Sequence, residues 1–291
     1  MRIGPRTPAA SVAPGKESGG APERAGRNLP AAVAVGLGLG GVALVTLYTA
    51  RVLFVGLVAV AVVLGLYELS VALRSKGIVA PFLPLAAGGV AVQVLAWTLG
   101  ASGLLTGGIA TMAGTSLVVL TVRRHGVGRD VAAIVAVTAY VPMLAGCVVL
   151  LARPDDGARR VLTYAATTVC SDVGAYAVGV LFGKHLMAPR ISPKKTWEGF
   201  AGSLAASTLA AVLLLTGLFH TSVWQGVVFG LAVAVAATLG DLGESWLKRR
   251  LSVKDMGTLL PGHGGVMDRA DSLLPAALVS LTLLLLFAPP G

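Results

Sequence analysis

Residues 52–72 read VLFVGLVAVAVVLGLYELSVA and contain one charged side chain, Glu68. An α-helix rises about 1.5 Å per residue, so a run of about 20 apolar residues is long enough to cross the hydrocarbon core of a bilayer. The run has that length, and similar apolar runs precede and follow it along the chain. We therefore predict that this stretch is one of several membrane-spanning helices.

The composition of the whole chain agrees with that prediction. Of 291 residues, 55% are hydrophobic and 12% are charged, whereas soluble domains carry roughly 25% charged residues. A chain this apolar could not cover a water-facing surface with polar groups, which excludes a soluble globular domain. The apolar content also excludes a largely disordered chain, and two cysteines are too few for a disulfide scaffold. The predicted fold class is an all-α, polytopic transmembrane protein.

The pattern of apolar runs divides the chain into spans and three regions. Residues 1–28 are rich in Pro, Gly, Ala and Arg and are predicted to form a disordered basic tail. Residues 29–160 are predicted to form the N-terminal transmembrane helices, and residues 161–291 a C-terminal transmembrane catalytic half. Nine spans are predicted, at about residues 29–49, 52–72, 79–99, 102–122, 131–151, 161–182, 198–218, 222–240 and 268–287.

Basic residues predict the orientation of these spans. With the N-terminus placed in the cytoplasm, 19 of the 23 Lys and Arg residues fall on the cytoplasmic side. Such a bias is the usual sign of cytoplasmic loops, which lie close to anionic headgroups. The formal net charge of +10 is therefore attributed to loops at the cytoplasmic surface of the inner or plasma membrane. No nucleic-acid partner is expected. The C-terminus is predicted to lie outside.

Acidic residues predict where the chemistry lies. The first five predicted spans contain one acidic residue, Glu68, whereas acidic and polar residues intrude into apolar surroundings after residue 170. Ionisable groups at membrane depth are costly and usually mark function. A GxGxxG match at residues 36–41 lies inside a predicted span and lacks the strand–turn–helix context of a nucleotide site. We therefore expect the site in the C-terminal half, at its cytoplasmic face.

Residues 240–272 read GDLGESWLKRRLSVKDMGTLLPGHGGVMDRADS and carry the strongest signal. If the eighth span continues as a helix, Asp241, Glu244 and Lys248 share one face at i, i+3 and i+7. Asp268 and Asp271 have the same three-residue spacing where the ninth span begins. The two helix ends would then direct carboxylates to a common point, and hard oxygen ligands without a His or Cys set suit Mg²⁺ together with substrate phosphates.

A glycine-rich loop lies between these two helix ends. His263, Gly264 and Gly265 belong to the sequence Pro-Gly-His-Gly-Gly at 261–265, whose glycines allow exposed amide groups to approach phosphate oxygens. Nearby basic residues supply the countercharge. Carboxylates for a metal, a glycine loop and convergent cations together indicate phosphoryl or nucleotidyl transfer. These cations are Lys248, Arg249, Lys254 and Arg269.

Two segments resemble a known family. Residues 245–271 carry SxLKR, KDxG, LPGHGGV and DRxD in order, and this stretch resembles the signature of the phosphatidate cytidylyltransferases, the CDP-diacylglycerol synthases. Ala270 departs from the larger apolar residue or Thr usual in that family. SDVGAY at 171–176, GK at 183–184 and SPKKTWEG at 192–199 are similar to further segments of it. Residues before 160 resemble the family only in hydropathy.

The resemblance implies a reaction and a set of roles. CTP and phosphatidic acid would give CDP-diacylglycerol and pyrophosphate, with Mg²⁺, and Asp172 would orient a cation or bind a second one. A homodimer is implied by family likeness only. Asp241 and Asp268 are the first expected metal ligands, followed by Asp271, Glu244 and Asp172. Lys248 and Arg269 join Asp241 and Asp268 as the expected catalytic residues. Substrate contacts are expected from Ser192, Lys194, Lys195, Arg249, Lys254, His263, Gly264 and Gly265.

Three other interpretations remain open from the residues. A CTP-dependent polyprenol or phytol kinase has similar membrane helices and the same nucleotide donor. An ion-coupled transporter would place intramembrane acids along an ion path, although the acids here cluster at one face and no internal repeat is evident. The basic residues from Lys184 to Lys195 taken alone are also typical of a loop that binds lipid headgroups.

Overall fold

The structure, a computed structural model, describes residues 29–123, 125–257 and 264–290. The predicted basic tail and His263 lie outside these residues. The described chain is almost entirely helical, which confirms the predicted fold class. The helices are α1 (Leu29–Thr49), α2 (Arg51–Arg74), α3 (Phe82–Leu99), α4 (Ala101–Val122), α5 (Val127–Thr138), α6 (Leu144–Ala152), α7 (Gly157–Phe182), α8 (Trp197–Phe219), α9 (Val223–Leu251), α10 (Met267–Ala270) and α11 (Leu273–Phe287).

Eight helical segments in the described chain are long and apolar enough to cross a membrane, and the protein is an integral membrane protein. They run from α2 onward, with α5–α6 and α10–α11 each forming one segment. The first helix, Leu29–Thr49, has the bounds of the first predicted span. The fifth span contains a π-helical turn, Ala139–Met143, around Pro142. Proline cannot donate the usual helical hydrogen bond, and such turns accommodate the lost bond.

Helices α7 and α8 pack closely through small residues. A Cβ atom added to Gly174 would lie 2.6 Å from the carbonyl oxygen of Gly202, and one added to Gly202 would lie 2.6 Å from the carbonyl oxygen of Gly174. The buried hydroxyls of Ser171 and Ser203 share a hydrogen bond of 2.6 Å across the same interface. Small residues let membrane helices approach, and cross-helix hydrogen bonds add to the packing. Asp172 is therefore held at a fixed distance from α8.

Helix α9 packs against α8 and α11, and its Gly240 lies against the start of α11. A Cβ atom on Gly240 would overlap the carbonyl oxygen of Asp271 and would lie 2.7 Å from the ring of Pro275. Glycine is therefore required at this crossing. Phe229 and Val233 on α9 are fully buried in the core below it. This crossing brings Asp241, the next residue on α9, to the same level as Asp271.

A short β-hairpin lies between α7 and α8 and was not predicted from the sequence. Strands β1 (Leu186–Ala188) and β2 (Ser192–Thr196) pair antiparallel. The hairpin is too short and polar to show an apolar alternation, so the basic composition of this segment predicted only a loop. The Thr196 side chain accepts a hydrogen bond from the backbone N–H of Gly199 and thus caps α8. Helix α8 therefore fixes the hairpin beside the other helices.

The two ends of the bundle carry different polar contacts. At one end, Lys76 donates a hydrogen bond to the Ser252 hydroxyl at 2.8 Å, which joins the α2–α3 loop to the end of α9. At the opposite end, the Arg160 guanidinium is 2% exposed and pairs with Asp156 at 2.6 Å. It also donates to the carbonyl oxygen of Ala288 at 2.7 Å, which satisfies the end of α11. Arg160 thus joins the start of α7 to the last span.

We expect Arg160→Met to destabilise the fold. The substitution leaves the Ala288 carbonyl and the Asp156 carboxylate without their charged donor, which costs about 2–3 kcal/mol of the free energy of unfolding. The apparent melting temperature in detergent should fall by several degrees. The control is Arg159→Met, because Arg159 is the neighbouring but exposed arginine. Equal melting temperatures for the two variants would contradict the role given to Arg160.

Candidate functional site

The candidate site is a cavity of about 310 Å³ between α7, the hairpin, α8, α9 and the start of α11. Three carboxylates and two lysines are among the residues that line it. The predictions from the sequence included all five, although they lie on four separate segments of the chain. These residues are Asp172, Asp241, Asp271, Lys194 and Lys195.

Asp241 and Lys195, which both line this cavity, form an ion pair. The Lys195 Nζ atom lies 2.8 Å from Asp241 Oδ2 and also donates to the carbonyl oxygen of Thr238 at 3.3 Å. The Ser245 hydroxyl donates to Asp241 Oδ1 at 3.3 Å. Lys195 comes from β2 and Asp241 from α9, so the ion pair joins the hairpin to the helix. Two acceptors on α9 therefore hold the ammonium group.

Asp172 and Asp271, which also line the cavity, meet around Ser272. The Ser272 hydroxyl donates to Asp172 Oδ2 at 2.8 Å, and the Ser272 backbone N–H donates to Asp271 Oδ1 at 2.7 Å. One serine thus orients both carboxylates. Each carboxylate can accept further bonds, because a carboxylate offers about four lone-pair positions.

Lys248 forms a second polar cluster, about two helical turns beyond Asp241 along α9. Its Nζ atom lies 2.6 Å from Glu244 Oε2 and 2.9 Å from Asp268 Oδ1. Glu244 is 2% exposed. Asp268 Oδ2 accepts the backbone N–H groups of Gly265 and Met256, at 2.8 Å and 3.0 Å. The ammonium group of Lys248 therefore bridges the end of α9 and the start of α10.

A smaller cavity of about 230 Å³ adjoins the first and is strongly basic. Ser192 and Lys194 line both cavities, so the hairpin forms their common wall. The Arg249 guanidinium donates to the carbonyl oxygen of Ile191 at 3.4 Å, which places it against this hairpin. A pair of polyanionic groups could occupy the two cavities side by side. The remaining cations that line the smaller cavity are Lys248 and Lys254.

The five predicted metal ligands form two groups that meet where the Glu244 side chain interacts with Asp271. Asp172, Asp241 and Asp271 line the larger cavity, whereas Glu244 and Asp268 contact Lys248. No group of three or more His, Cys, Asp or Glu side chains within the described ranges is arranged to hold a metal ion by itself. The donor set fits Mg²⁺ in its usual protein mode, in which one or two carboxylates act together with substrate phosphates.

The glycine-rich loop is described only from Gly264 onward. Gly264 has a φ of 80°, a left-handed conformation that favours glycine. The backbone N–H of Gly265 is already bound to Asp268, so it orients this carboxylate. Arg269 is exposed on α10. The approach of this loop to a phosphate stays a prediction.

One carboxylate at this end of the bundle was not assigned to the site from the sequence. Glu68 of α2 accepts hydrogen bonds from the backbone N–H groups of Val266 and Met267, both at 2.9 Å. The available signal was its occurrence as the single acid inside the first five predicted spans. Such a residue is a functional candidate, but its partners lie about 200 residues away in the chain and cannot be read from spacing.

Comparisons with known proteins place the chain in a family. The sequence model of the cytidylyltransferase family matches residues 30–287. A protein named phosphatidate cytidylyltransferase from Mycobacterium leprae (strain TN) is 45% identical over 279 residues, which cover 90% of this chain and 89% of that protein. One of the same name from Mycobacterium bovis is 41% identical, with 90% of each chain covered. The match extends through the N-terminal helices as well as the site. The chain belongs to the cytidylyltransferase family.

Proposed function

We propose that this protein transfers the cytidylyl group of CTP to phosphatidic acid and releases pyrophosphate, giving CDP-diacylglycerol. The observation that carries the proposal is the pair of adjoining cavities at one end of a membrane-spanning bundle. One contains three carboxylates, the other is lined by four basic side chains, and the hairpin forms their common wall. The relatives named phosphatidate cytidylyltransferase support the same reaction.

The reaction demands positioning and charge neutralisation more than proton transfer. An oxygen of the lipid phosphate forms a bond to the α-phosphorus of CTP, and the bond from that phosphorus to the bridging oxygen of pyrophosphate breaks. The attacking phosphate is already ionised near neutral pH, so a general base is not needed. Both reactants are polyanions, and fixed cations that hold them in line supply the main catalytic effect.

Two lysines of this chain are fixed for that task. Lys195 is held by Asp241 and the Thr238 carbonyl, and Lys248 by Glu244 and Asp268. An ammonium group with fixed acceptors loses little conformational freedom when a phosphate oxygen arrives. We assign both lysines to contacts with the reacting phosphates. The exposed cations Lys194, Arg249 and Lys254 contribute attraction at the entrance to the smaller cavity.

The carboxylates of the larger cavity are the residues that would hold Mg²⁺. Asp241 and Asp271 lie on the crossing of α9 and α11, and Asp172 is joined to Asp271 through Ser272. When bound, Mg²⁺ neutralises phosphate charge and polarises the group under attack. Asp268 and Glu244 orient Lys248 in this arrangement. A second cation beside Asp172 is part of the same proposal.

The proposal places the site at the cytoplasmic surface of the inner or plasma membrane. The excess of basic residues predicted on that side supports this placement. Lys76, Arg249 and the hairpin also lie at the same end of the bundle as the cavities. CTP would then enter from the cytosol and the lipid from the bilayer. A homodimer stays a prediction from family likeness.

Labelled CTP tests the reaction directly. We expect protein in detergent with Mg²⁺ and phosphatidic acid to transfer α-phosphate label, and not γ-phosphate label, into lipid. Transfer of γ label to an isoprenoid alcohol would support a CTP-dependent kinase instead. Solute flux in proteoliposomes without CTP turnover would support a transporter. Either result would contradict the proposed function.

The separation of carboxylates into two groups predicts different responses to Mg²⁺. We expect Asp271→Asn to raise the Mg²⁺ concentration for half-maximal activity by at least about tenfold, because a ligand of the cation is lost. The matched variant Asp268→Asn should lower kcat with little change in that concentration, because Asp268 holds Lys248. A chelator should abolish wild-type activity. The reverse assignment of the two variants would contradict the proposed ligand set.

The bridging lysine predicts a large catalytic effect. Lys248→Met should lower kcat by about 10²-fold or more, because a fixed charge that stabilises the transition state is removed. Lys76→Met is the control, since Lys76 also donates a hydrogen bond at this end of the bundle but lines neither cavity. Its kcat should stay near that of the wild type. Equal losses in the two variants would argue against the role of Lys248.

A further inference from the structure

Glu68 connects the N-terminal helices to the segment that carries Asp268. It lies near the end of α2, is 2% exposed, and accepts the N–H of Val266 with Oε1 and the N–H of Met267 with Oε2. Both carboxylate oxygens are therefore committed to backbone groups at the start of α10.

A second contact on the same face of α2 supports this attachment. Gly65 precedes Glu68 by three residues, so the two lie on one face of the helix. A Cβ atom on Gly65 would lie 2.9 Å from the sulfur of Met267, whose side chain is buried. The Met267 side chain thus fits into a notch at Gly65 while its backbone N–H binds Glu68. The start of α10 is therefore held by packing and by hydrogen bonds at adjacent points.

Two glycines make room for the Glu68 carboxylate. A Cβ atom on Gly257 would overlap Glu68 Oε1, and one on Gly265 would overlap Glu68 Oε2. The two glycines stand on either side of residues 258–263 in the chain. The chain thus contacts Glu68 both before residues 258–263 and after them.

The backbone that Glu68 contacts also orients Asp268. Gly265 and Met256 donate their N–H groups to Asp268 Oδ2, and each is adjacent to a residue that touches Glu68. Asp268 Oδ1 in turn accepts Lys248. Glu68 lines neither of the two cavities of the site. Its connection to the reacting groups therefore runs through the backbone of 256–257 and 265–267.

We propose that Glu68 is a positioning residue for cytidylyl transfer: it fixes the backbone around Asp268, and through Asp268 the ammonium group of Lys248. The proposal rests on the proposed function for its kinetic consequence, but its structural content is independent of the substrate. A displacement of about 1 Å in a catalytic group can cost about 10² in rate. Loss of the Glu68 contacts should therefore lower kcat strongly and have only a small effect on the free energy of unfolding.

The test compares Glu68→Gln with a matched loss of a buried carboxylate elsewhere. Asp130 is fully buried, accepts the N–H of Val79 at 3.0 Å and pairs with Arg123 at 3.1 Å, but it does not contact the site. We expect Glu68→Gln to lower kcat by about tenfold or more, with the KM for phosphatidic acid within about twofold of the wild type. Asp130→Asn should lower the melting temperature and leave kcat nearly unchanged. Wild-type kcat in Glu68→Gln would overturn the proposal.

A double-mutant cycle checks that the effect acts through the glycines. Gly265→Ala should displace the Glu68 carboxylate and lower kcat by itself. In the double variant with Glu68→Gln the loss should be much smaller than the product of the two single losses, because one contact is removed twice. If the loss of kcat in the double variant equals the product of the two single losses, the two residues act separately and the proposal is overturned.

Amide hydrogen exchange separates this proposal from the proposed function. Peptides that cover residues 264–270 should exchange faster in Glu68→Gln than in the wild type, and should be unchanged in Asp130→Asn. Unchanged exchange in Glu68→Gln would overturn the positioning role whatever the activity. If the variants show this exchange pattern but the wild-type protein does not catalyse cytidylyl transfer, the proposed reaction is overturned. The structural role of the Glu68 contact is then still supported.

Discussion

The ammonium group of Lys248 joins two helix ends that would otherwise repel each other. Glu244 of α9 and Asp268 of α10 each place an oxygen within 3 Å of it. Inside a membrane protein an unpaired carboxylate is costly, so this bridge holds α9 and α10 in one arrangement. The backbone N–H groups on Asp268 and the crossing at Gly240 then locate the remaining carboxylates of the site.

The site uses its acidic residues for two different purposes. Glu244 and Asp268 compensate and orient a lysine, whereas Asp172, Asp241 and Asp271 line the cavity where a cation and phosphates can meet. In the proposed function, the same residue type supplies both countercharge for a lysine and ligands for a metal. Under that proposal, the five acids near one end of the bundle do not need to share a single ion. It also gives the hairpin a role, because its lysines face the acidic cavity and the basic one.

The sequence predicted the helices and most of the charged residues that line the two cavities, and particular residues show why. Runs such as 52–72 predict spans because bilayer thickness sets their length. Glu244 and Lys248 were placed on one face by helical spacing, which the structure confirms with a direct ion pair. The hairpin was missed because its strands are too short for an apolar pattern. Gly240, Gly257 and Glu68 were missed because their importance arises from contacts between distant segments, which spacing alone does not reveal.

The most direct measurement is an anomalous-scattering map of the protein with CTP and Mn²⁺ in place of Mg²⁺. The account predicts Mn²⁺ density beside Asp241 and Asp271, with Lys248 in contact with a phosphate and still bound to Asp268. Mn²⁺ density between Asp268 and Glu244, with Lys248 displaced, would contradict it.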